Sequence, residues 1–308
     1  MITVIITAYN RRDYLIHALK SALNQSLIPG SYEIVVVKNF QEKEVDELII
    51  SSSRLNNVKS ILMEGTIGDF LYEGIMHSSG DILSFLDDDD VFLETKLEHV
   101  QKAFSEDDEL VYYKHRARFM DKNGSPIDRI DKGPNFNLST ISVKKDIVYL
   151  RTVKKVLTGQ DNYMFYNALD SSGRIQVSEN ILSFYRHHES ATSTISSFER
   201  FLKSELMRFE LDVETTRQVV EDFKTDSVKR LCYSQHIGSK IRLSIFNSIQ
   251  LDEKDAYISP QEIFIYLQQA NLLKIVNILE LILPKDLKRF LEKIHYAREM
   301  KRKLAYDP

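Results

Sequence analysis

Cysteine is almost absent from this chain: Cys232 is the only one in 308 residues. One thiol cannot make an internal disulfide, and cysteine-rich metal sites are excluded with it. Set between Leu231 and Tyr233 in a helical stretch, Cys232 reads as a buried filler. Long apolar runs are also missing. No stretch reaches the ~18 residues of a membrane-spanning helix. The amino terminus, Met1-Ile2-Thr3-Val4, enters a strand directly and shows no basic and apolar regions of a signal peptide. A cytoplasmic protein is the expectation. Positive charge is not in surplus either. The formal net charge is -4, which argues against nucleic acid as a partner. Apolar matter is ample: 43% of the residues are hydrophobic, enough for a core and against disorder. The length suits one large domain or two.

The first part of the chain alternates between two periodicities. Ile2–Thr7, Tyr32–Val37, Val58–Leu62 and Ile82–Leu86 are short and mostly apolar, as buried strands are. Between them, Arg11–Gln25, Gln41–Ser53 and Asp69–Met76 carry apolar residues at helical spacing. Such alternation implies βαβ units and a mainly parallel sheet. After about residue 110 the pattern changes. Val111–Phe119 reads as a strand, Asn123-Gly124 as a turn and Ile127–Ile130 as the returning strand. Ser142–Val156 has helical spacing, and Ile181–His187 reads as a further strand. From Ser196 the chain reads as helical, broken near Gly238, Asp252–Pro260 and Pro284. The expected layout is an α/β domain over residues 1–195 and a helical region over 196–308.

Four consecutive aspartates, Asp87 to Asp90, follow the apolar run Ile82–Leu86. Carboxylates packed there repel one another and lose solvation. A cation relieves both costs, and Mg²⁺-like ions take one or two carboxylates plus substrate phosphates. Open α/β sheets place ligands at this end of their strands. The pattern points to a metal–diphosphate site, against the plainer reading of a solvated acidic loop.

Three further segments complete the pattern. They are Val4-Ile5-Ile6-Thr7-Ala8-Tyr9-Asn10-Arg11, Tyr32-Glu33-Ile34-Val35-Val36-Val37 and Tyr185-Arg186-His187-His188-Glu189-Ser190. In this order they resemble the family-two nucleotide-sugar glycosyltransferases of the GT-A fold. The resemblance covers residues 1–195. It implies a Rossmann-like mixed sheet flanked by helices, with the donor held by about 1–110 and the acceptor by 111–195. It implies an inverting enzyme that moves a sugar from a UDP- or GDP-sugar to a hydroxyl of a glycan, polysaccharide or lipid-linked acceptor. Mn²⁺ or Mg²⁺ would neutralise the leaving diphosphate. By the family's Asp-x-Asp motif, Asp89 is the expected metal ligand, with Asp87 and Asp88 beside the ribose and diphosphate. Asp90 is expected to open the next helix. Thr7, Ala8 and Tyr9 would face the nucleoside, with Tyr9 able to stack on the base. Arg186 matches the arginine that pairs with phosphate, and His188 the histidine that completes the metal shell or binds the diphosphate.

The chain departs from the family at two places. Lys38-Asn39 stands where relatives carry two aspartates, so a base contact would pass to Asn39, which both donates and accepts. Leu71-Tyr72 stands where relatives often have Arg-Asn, which leaves Arg186 to supply charge. In Gly159-Gln160-Asp161-Asn162-Tyr163, Asp161 matches the family's general base, and the same position suits a helix N-cap. Ser190–Ser197 reads as a loop able to close over the donor. The chain has no tryptophan, so the Gln-x-x-Arg-Trp motif of processive synthases is missing and single additions are expected. Two alternatives stay open. One is a sugar-nucleotide-binding protein without transfer activity. The other is a nucleotidyltransferase, disfavoured because Thr7–Asp13 has no glycine.

The tail carries Leu287, Phe290, Leu291, Ile294 and Ala297 at helical spacing, interleaved with Lys285, Lys288, Arg289, Lys293 and Arg298. Such a basic amphipathic helix either lies on an anionic membrane or packs on the protein with its basic face in water.

Overall fold

The computed structural model describes residues 1–130, 137–188, 197–250, 258–268 and 271–304. It divides into two compact units, Met1–His187 and His188–Pro308.

The first unit begins with β1 (Ile2–Ala8), α1 (Leu15–Leu23), β2 (Tyr32–Lys38), α2 (Lys43–Asn56), β3 (Val58–Leu62), α3 (Ile67–Met76) and β4 (Ile82–Asp87). It continues with β5 (Val91–Phe92), α4 (Lys96–Glu106), β6 (Leu110–Met120), β7 (Pro126–Ile130) and β8 (Ile141–Lys144). It ends with α5 (Leu150–Lys154), α6 (Gln160–Asp170) and β9 (Arg174–Arg186). The strands form one sheet in the order β3-β2-β1-β4-β8-β6-β9-β5, with β7 on β6. β3, β2, β1 and β4 are mutually parallel; β8 joins antiparallel to both β4 and β6.

Continuous burial along β1 and β2 follows from helices on both faces. Residues alternate between them. Val4 and Ile6 pack with Leu15, Leu19 and Val100. Ile5, Leu83 and Phe85 pack with Leu71, Val153 and Met164 on the other face. The chain passes from β1 to β2 on one side and returns to β4 on the other. The crevice at the ends of β1 and β4 is therefore a topological switch point, where open sheets bind ligands.

Three local expectations are overturned. Ser142–Val156 is not one helix. Residues 141–144 pair with two strands, Ser84 and Ser142 hydroxyls meet at 2.9 Å, and beyond a 3-10 turn at Lys145–Ile147 only Leu150–Lys154 is α-helical. Long-range pairing outweighs the local spacing. Asp90 does not open a helix, because Val91–Phe92 is drawn against Phe184 and Ser183, and α4 starts only at Lys96. Asp161 is not an N-cap: Gly159 holds that position with φ 67°.

In the second unit, α7 (Phe198–Val219), α8 (Asp226–Gln250), α9 (Pro260–Leu267), α10 (Leu272–Leu281) and α11 (Lys285–Leu304) follow. Ser197 caps α7, and Ser259 and Glu262 form a capping box for α9. Residues 189–196 and 251–257, and with them most of the expected Ser190–Ser197 loop, lie outside the described residues. The expected break at Gly238 does not occur. Helix α8 runs through it, because a Cβ there would come within 3.1 Å of the Tyr266 ring and glycine leaves that space. Cys232 is buried, and burial pushes its thiol up to about 12, as suits a filler.

Helix α11 turns a partly charged face inward. Lys288 and Glu292 are buried, the Lys288 ammonium lying 3.1 Å from Ser248 Oγ. Leu287, Phe290 and Leu291 are exposed. Arg242 of α8 pairs with Glu280 at 3.0 Å and with Glu292. One guanidinium between two buried carboxylates leaves an excess negative charge. Burial raises the Glu280 carboxyl to about 7, against the pull of Arg242 and with repulsion from Glu292. The folded protein thus keeps this proton up to about pH 7, whereas an unperturbed carboxyl loses it near 4.5. Its contribution to stability is present below that value and is lost as pH rises toward 7. We expect the melting temperature to fall between pH 5 and 8, and to fall less steeply in Glu280→Gln. Parallel slopes in scanning calorimetry would show that the pair holds no such proton.

Candidate active site

The ends of three strands meet in register: Thr7 of β1 lies between Val37 of β2 and Asp87 of β4. Thr7 and Ala8 are buried, and Tyr9 emerges with half its surface exposed, its ring edge-on to Phe70 at 5.8 Å. Asn10 turns the chain with φ 56°, a left-handed conformation that asparagine tolerates. Its backbone N–H donates to Asn39 Oδ1 at 2.8 Å, and Asn39 Nδ2 donates to Asn10 Oδ1 at 2.8 Å. Asn39 thereby ties the ends of β1 and β2 together beside Tyr9. Lys38 faces away: its buried ammonium meets Asp46 at 2.8 Å and the Phe40 carbonyl at 2.9 Å. Leu71 is a core residue.

Asp87 to Asp90 form a tight turn closed by the Asp90 N–H on the Asp87 carbonyl at 3.2 Å. Ser139 Oγ accepts the Asp87 N–H at 3.0 Å. Asp90 is buried. Its carboxylate accepts from the Arg186 N–H and from Asn137 Nδ2, each at 3.0 Å. Burial and then the Asp89 charge push Asp90 up to about 7, against these hydrogen bonds. Asp87 is raised well above the usual range, first by burial and then by Asp90, Asp89 and Asp88. Lys96, also buried, donates to the Ser139 carbonyl at 2.8 Å and lies 3.4 Å above the Phe92 ring.

Two arginines stabilise the turn. Arg11 Nε donates to Asp88 Oδ1 at 3.0 Å, where Nη2 also meets it, and Nη1 reaches Asp89 Oδ2 at 2.6 Å. Burial lowers the Arg11 pKa, but Asp89 and Asp88 outweigh it and the net shift is upward. Arg186 acts on the backbone: Nε donates to the Asp89 carbonyl at 2.9 Å and Nη1 to the Lys122 carbonyl at 3.1 Å. Its guanidinium also covers the Tyr14 ring at 4.5 Å. His188 comes next but one, buried, as the first residue of the second unit.

Asp161 is the second residue of α6. Burial raises its carboxyl to about 6, moderated by the backbone N–H groups of Asn162 and Asp161 and by the charge of Lys114. Lys114 lies on β6 one residue past Tyr113, which shares a row with Ser142 of β8 and, through it, Ser84 of β4.

The donor set is hard oxygen, which suits Mg²⁺ or Mn²⁺. Among the described residues no three His, Cys, Asp or Glu side chains form a metal cage of their own. Ions of this kind are commonly held by one or two carboxylates and completed by a phosphate ligand. Asp89 and Asp88, which already share a cation in Arg11, are the residues that would hold it. Arg11, Asn137 and Ser139 are absent from the set expected from sequence. Arg11 adjoins Tyr9-Asn10, whereas Asn137 and Ser139 lie about 50 positions from the aspartates, in a stretch without a motif.

Residues 3–160, half of the chain, match glycosyl transferase family 2, and the chain belongs to that family. An uncharacterized glycosyltransferase of Nostoc is 26% identical over 72% of this chain and 75% of its own length. One from Rickettsia bellii is 29% identical over 43% of this chain, but the match spans only 19% of that relative. The fold is the GT-A fold. Similar solved structures include S. aureus TarS 1-349 in complex with UDP-GlcNAc, with TM-score 0.58, 15% identity and coverage of 96% and 91% of the two chains. Another is the mannosyltransferase PcManGT from Pyrobaculum calidifontis in complex with GDP-Man and Mn²⁺, with TM-score 0.56, 12% identity and coverage of 99% and 87%.

The fork of Arg186 serves two backbone carbonyls that a lysine ammonium cannot reach together. We expect Arg186→Lys to lower stability by about 1–3 kcal/mol for each buried acceptor left unmet, read by urea unfolding. An unchanged midpoint would mean that the arginine is not what holds the turn.

Proposed function

We propose that this protein is an inverting, metal-dependent glycosyltransferase that adds single sugars from a UDP- or GDP-sugar to a hydroxyl acceptor. The observation that carries the reading is the Asp87–Asp90 turn at the switch point, in register with Thr7 and Val37. Thr7, Ala8, Tyr9 and Asn39 would line the nucleoside, with the exposed face of Tyr9 offered to the base. Asp87 would face the ribose, and Asp88 and Asp89 the metal and diphosphate. A divalent ion bound there would supply Lewis-acid neutralisation of the leaving diphosphate. Arg186 would hold the turn in shape through the Asp89 carbonyl.

Asp161 would take the proton of the acceptor hydroxyl as the oxygen attacks the anomeric carbon. A carboxyl raised to about 6 is a stronger base than an ordinary aspartate and is still ionised at neutral pH. Direct displacement with one base inverts the anomeric centre. We expect the rate to rise with pH through an apparent pKa near 6. Asp161→Asn should lose roughly 10²–10⁴-fold in kcat while still binding nucleotide. Asp89→Ala should lose the metal-dependent rise in melting temperature with UDP or GDP. Nucleotide binding without turnover in the wild type would instead establish the inactive binding protein. No shift with any nucleotide would refute the donor site.

The acceptor class would be lipid-linked. Leu272 and Ile282 are more than three-quarters exposed, and Phe264, Leu273, Leu279 and Phe290 are exposed with them. These residues lie on or beside α9, α10 and α11, and α11 carries Lys285, Lys293 and Arg298. Apolar surface with basic neighbours complements an anionic bilayer. We expect the wild type to float with phosphatidylglycerol vesicles and not with phosphatidylcholine alone, and Leu272→Glu/Ile282→Glu to stay behind. Equal flotation of both proteins would dispose of this surface; a dimer that the double substitution splits would make it an interface between copies.

A further inference from the structure

Arg11 occupies the place where a divalent cation would have to act. Its guanidinium grips Asp88 through Nε and Nη2 and Asp89 through Nη1, in a fork that spans both carboxylates. These are the side chains assigned above to the metal, so the inference rests on that reading. A guanidinium hydrogen and a metal ion cannot use the same lone pairs at once. The pair is also partly desolvated: Asp88 is buried, and the Arg11 side chain is only 25% exposed. Charge-assisted bonds of that kind are stronger than their solvated counterparts.

The surrounding groups do not substitute for Arg11. The Arg186 guanidinium is engaged by the carbonyls of Asp89 and Lys122 and by the Tyr14 ring. The Lys38 ammonium is turned to Asp46, and the Lys96 ammonium to Ser139. Arg11 stands just past Asn10, which is held to Asn39 in a left-handed turn, so its base is fixed while its tip reaches the crevice edge. A guanidinium pairs with a diphosphate as well as with carboxylates, by the same planar fork.

We propose that Arg11 is a resident cation that holds Asp88 and Asp89 in the ligand-free protein and exchanges them for the donor's diphosphate. The metal therefore binds together with the nucleotide and only weakly before it. Arg11 in this role opposes metal binding on its own and supports it when a diphosphate is present. By reciprocity, metal and nucleotide strengthen each other's binding by the same factor.

The test is Mn²⁺ binding followed by electron paramagnetic resonance of the free ion, on full-length wild type, Arg11→Gln and Arg11→Lys, with and without UDP or GDP. In the wild type, one of the two nucleotides should tighten Mn²⁺ binding by roughly tenfold or more. Arg11→Gln should bind Mn²⁺ alone roughly tenfold tighter than the wild type and should lose most of the gain from nucleotide. If Arg11→Gln does not fold, as judged by circular dichroism, Arg11→Lys carries the test. It keeps one charge and loses the fork, so it should also bind Mn²⁺ alone more tightly than the wild type. Wild type that binds Mn²⁺ with nucleotide, beside folded variants that bind Mn²⁺ alone no tighter, would overturn the role of Arg11 and leave the metal site intact. Failure of all proteins to bind Mn²⁺ with either nucleotide would overturn the metal site and the role of Arg11 with it.

Discussion

Negative charge concentrated at the end of a buried strand is the constraint on which the crevice at the sheet's switch point depends. Asp87 to Asp90 cannot leave the sheet, because β4 is fixed between β1 and β8. Nor can they all ionise there without help, and the raised carboxyls of Asp87 and Asp90 express that cost. Several distinct devices meet it. Arg11 pairs with two side chains, Arg186 holds the backbone, and Asn137 satisfies Asp90. Ser139 accepts the Asp87 N–H, and the buried Lys96 amine anchors the Ser139 carbonyl in turn. These groups come from separate places in the sequence, so assembling the turn requires β1, β9, α4 and the residues before β8 to be in position. A site this costly is stable only on a rigid frame, and continuous burial of β1 and β2 supplies one.

The same principle recurs in the second unit with a different solution. Arg242 lies between Glu280 and Glu292, and the excess charge there is met by a proton. In the aspartate turn that device falls on Asp87 and Asp90, whose carboxyls are raised, whereas Asp88 and Asp89 meet the cation of Arg11. A proton on Asp89 would remove a lone pair that a metal needs, whereas an arginine can be displaced and then re-paired. A cluster meant to stay closed can hold a proton; one meant to open needs a counter-charge that has somewhere else to go.

The first half of the sheet was legible because its signals are local. Ile2–Thr7 and Tyr32–Val37 announce buried strands by composition, and the aspartates mark the strand end. Ser142–Val156 misled because local spacing carries no information about a strand 58 positions away that pairs with Ser142. Asp90 misled for the same reason, since Phe184 and Ser183 set the path of the chain beyond it. Arg11 was in plain view beside Tyr9-Asn10, but its ion pairs span 77 positions and leave no periodicity to read. In helix α11 the apolar stripe was legible, but the direction it faces was left open. Which face turns inward is set by partners such as Arg242 and Ser248, which lie on another helix.

That orientation has an energetic cost within the second unit. A helix that buries Lys288 and Glu292 while exposing Phe290 and Leu291 gives up hydrophobic stabilisation at about 25 cal/mol for each Å² of apolar surface left in water. Nothing in the sequence pattern of α11 forces this choice, because a rotation would bring Leu287 and Phe290 inward in place of Lys288 and Glu292. The buried ion pairs oppose that rotation. Arg242 would lose Glu292 and keep only Glu280, and breaking one side of a buried charge pair is costly. The charged pairs therefore act less as a source of stability than as a lock on orientation. They hold outward an apolar surface that burial alone would have turned in.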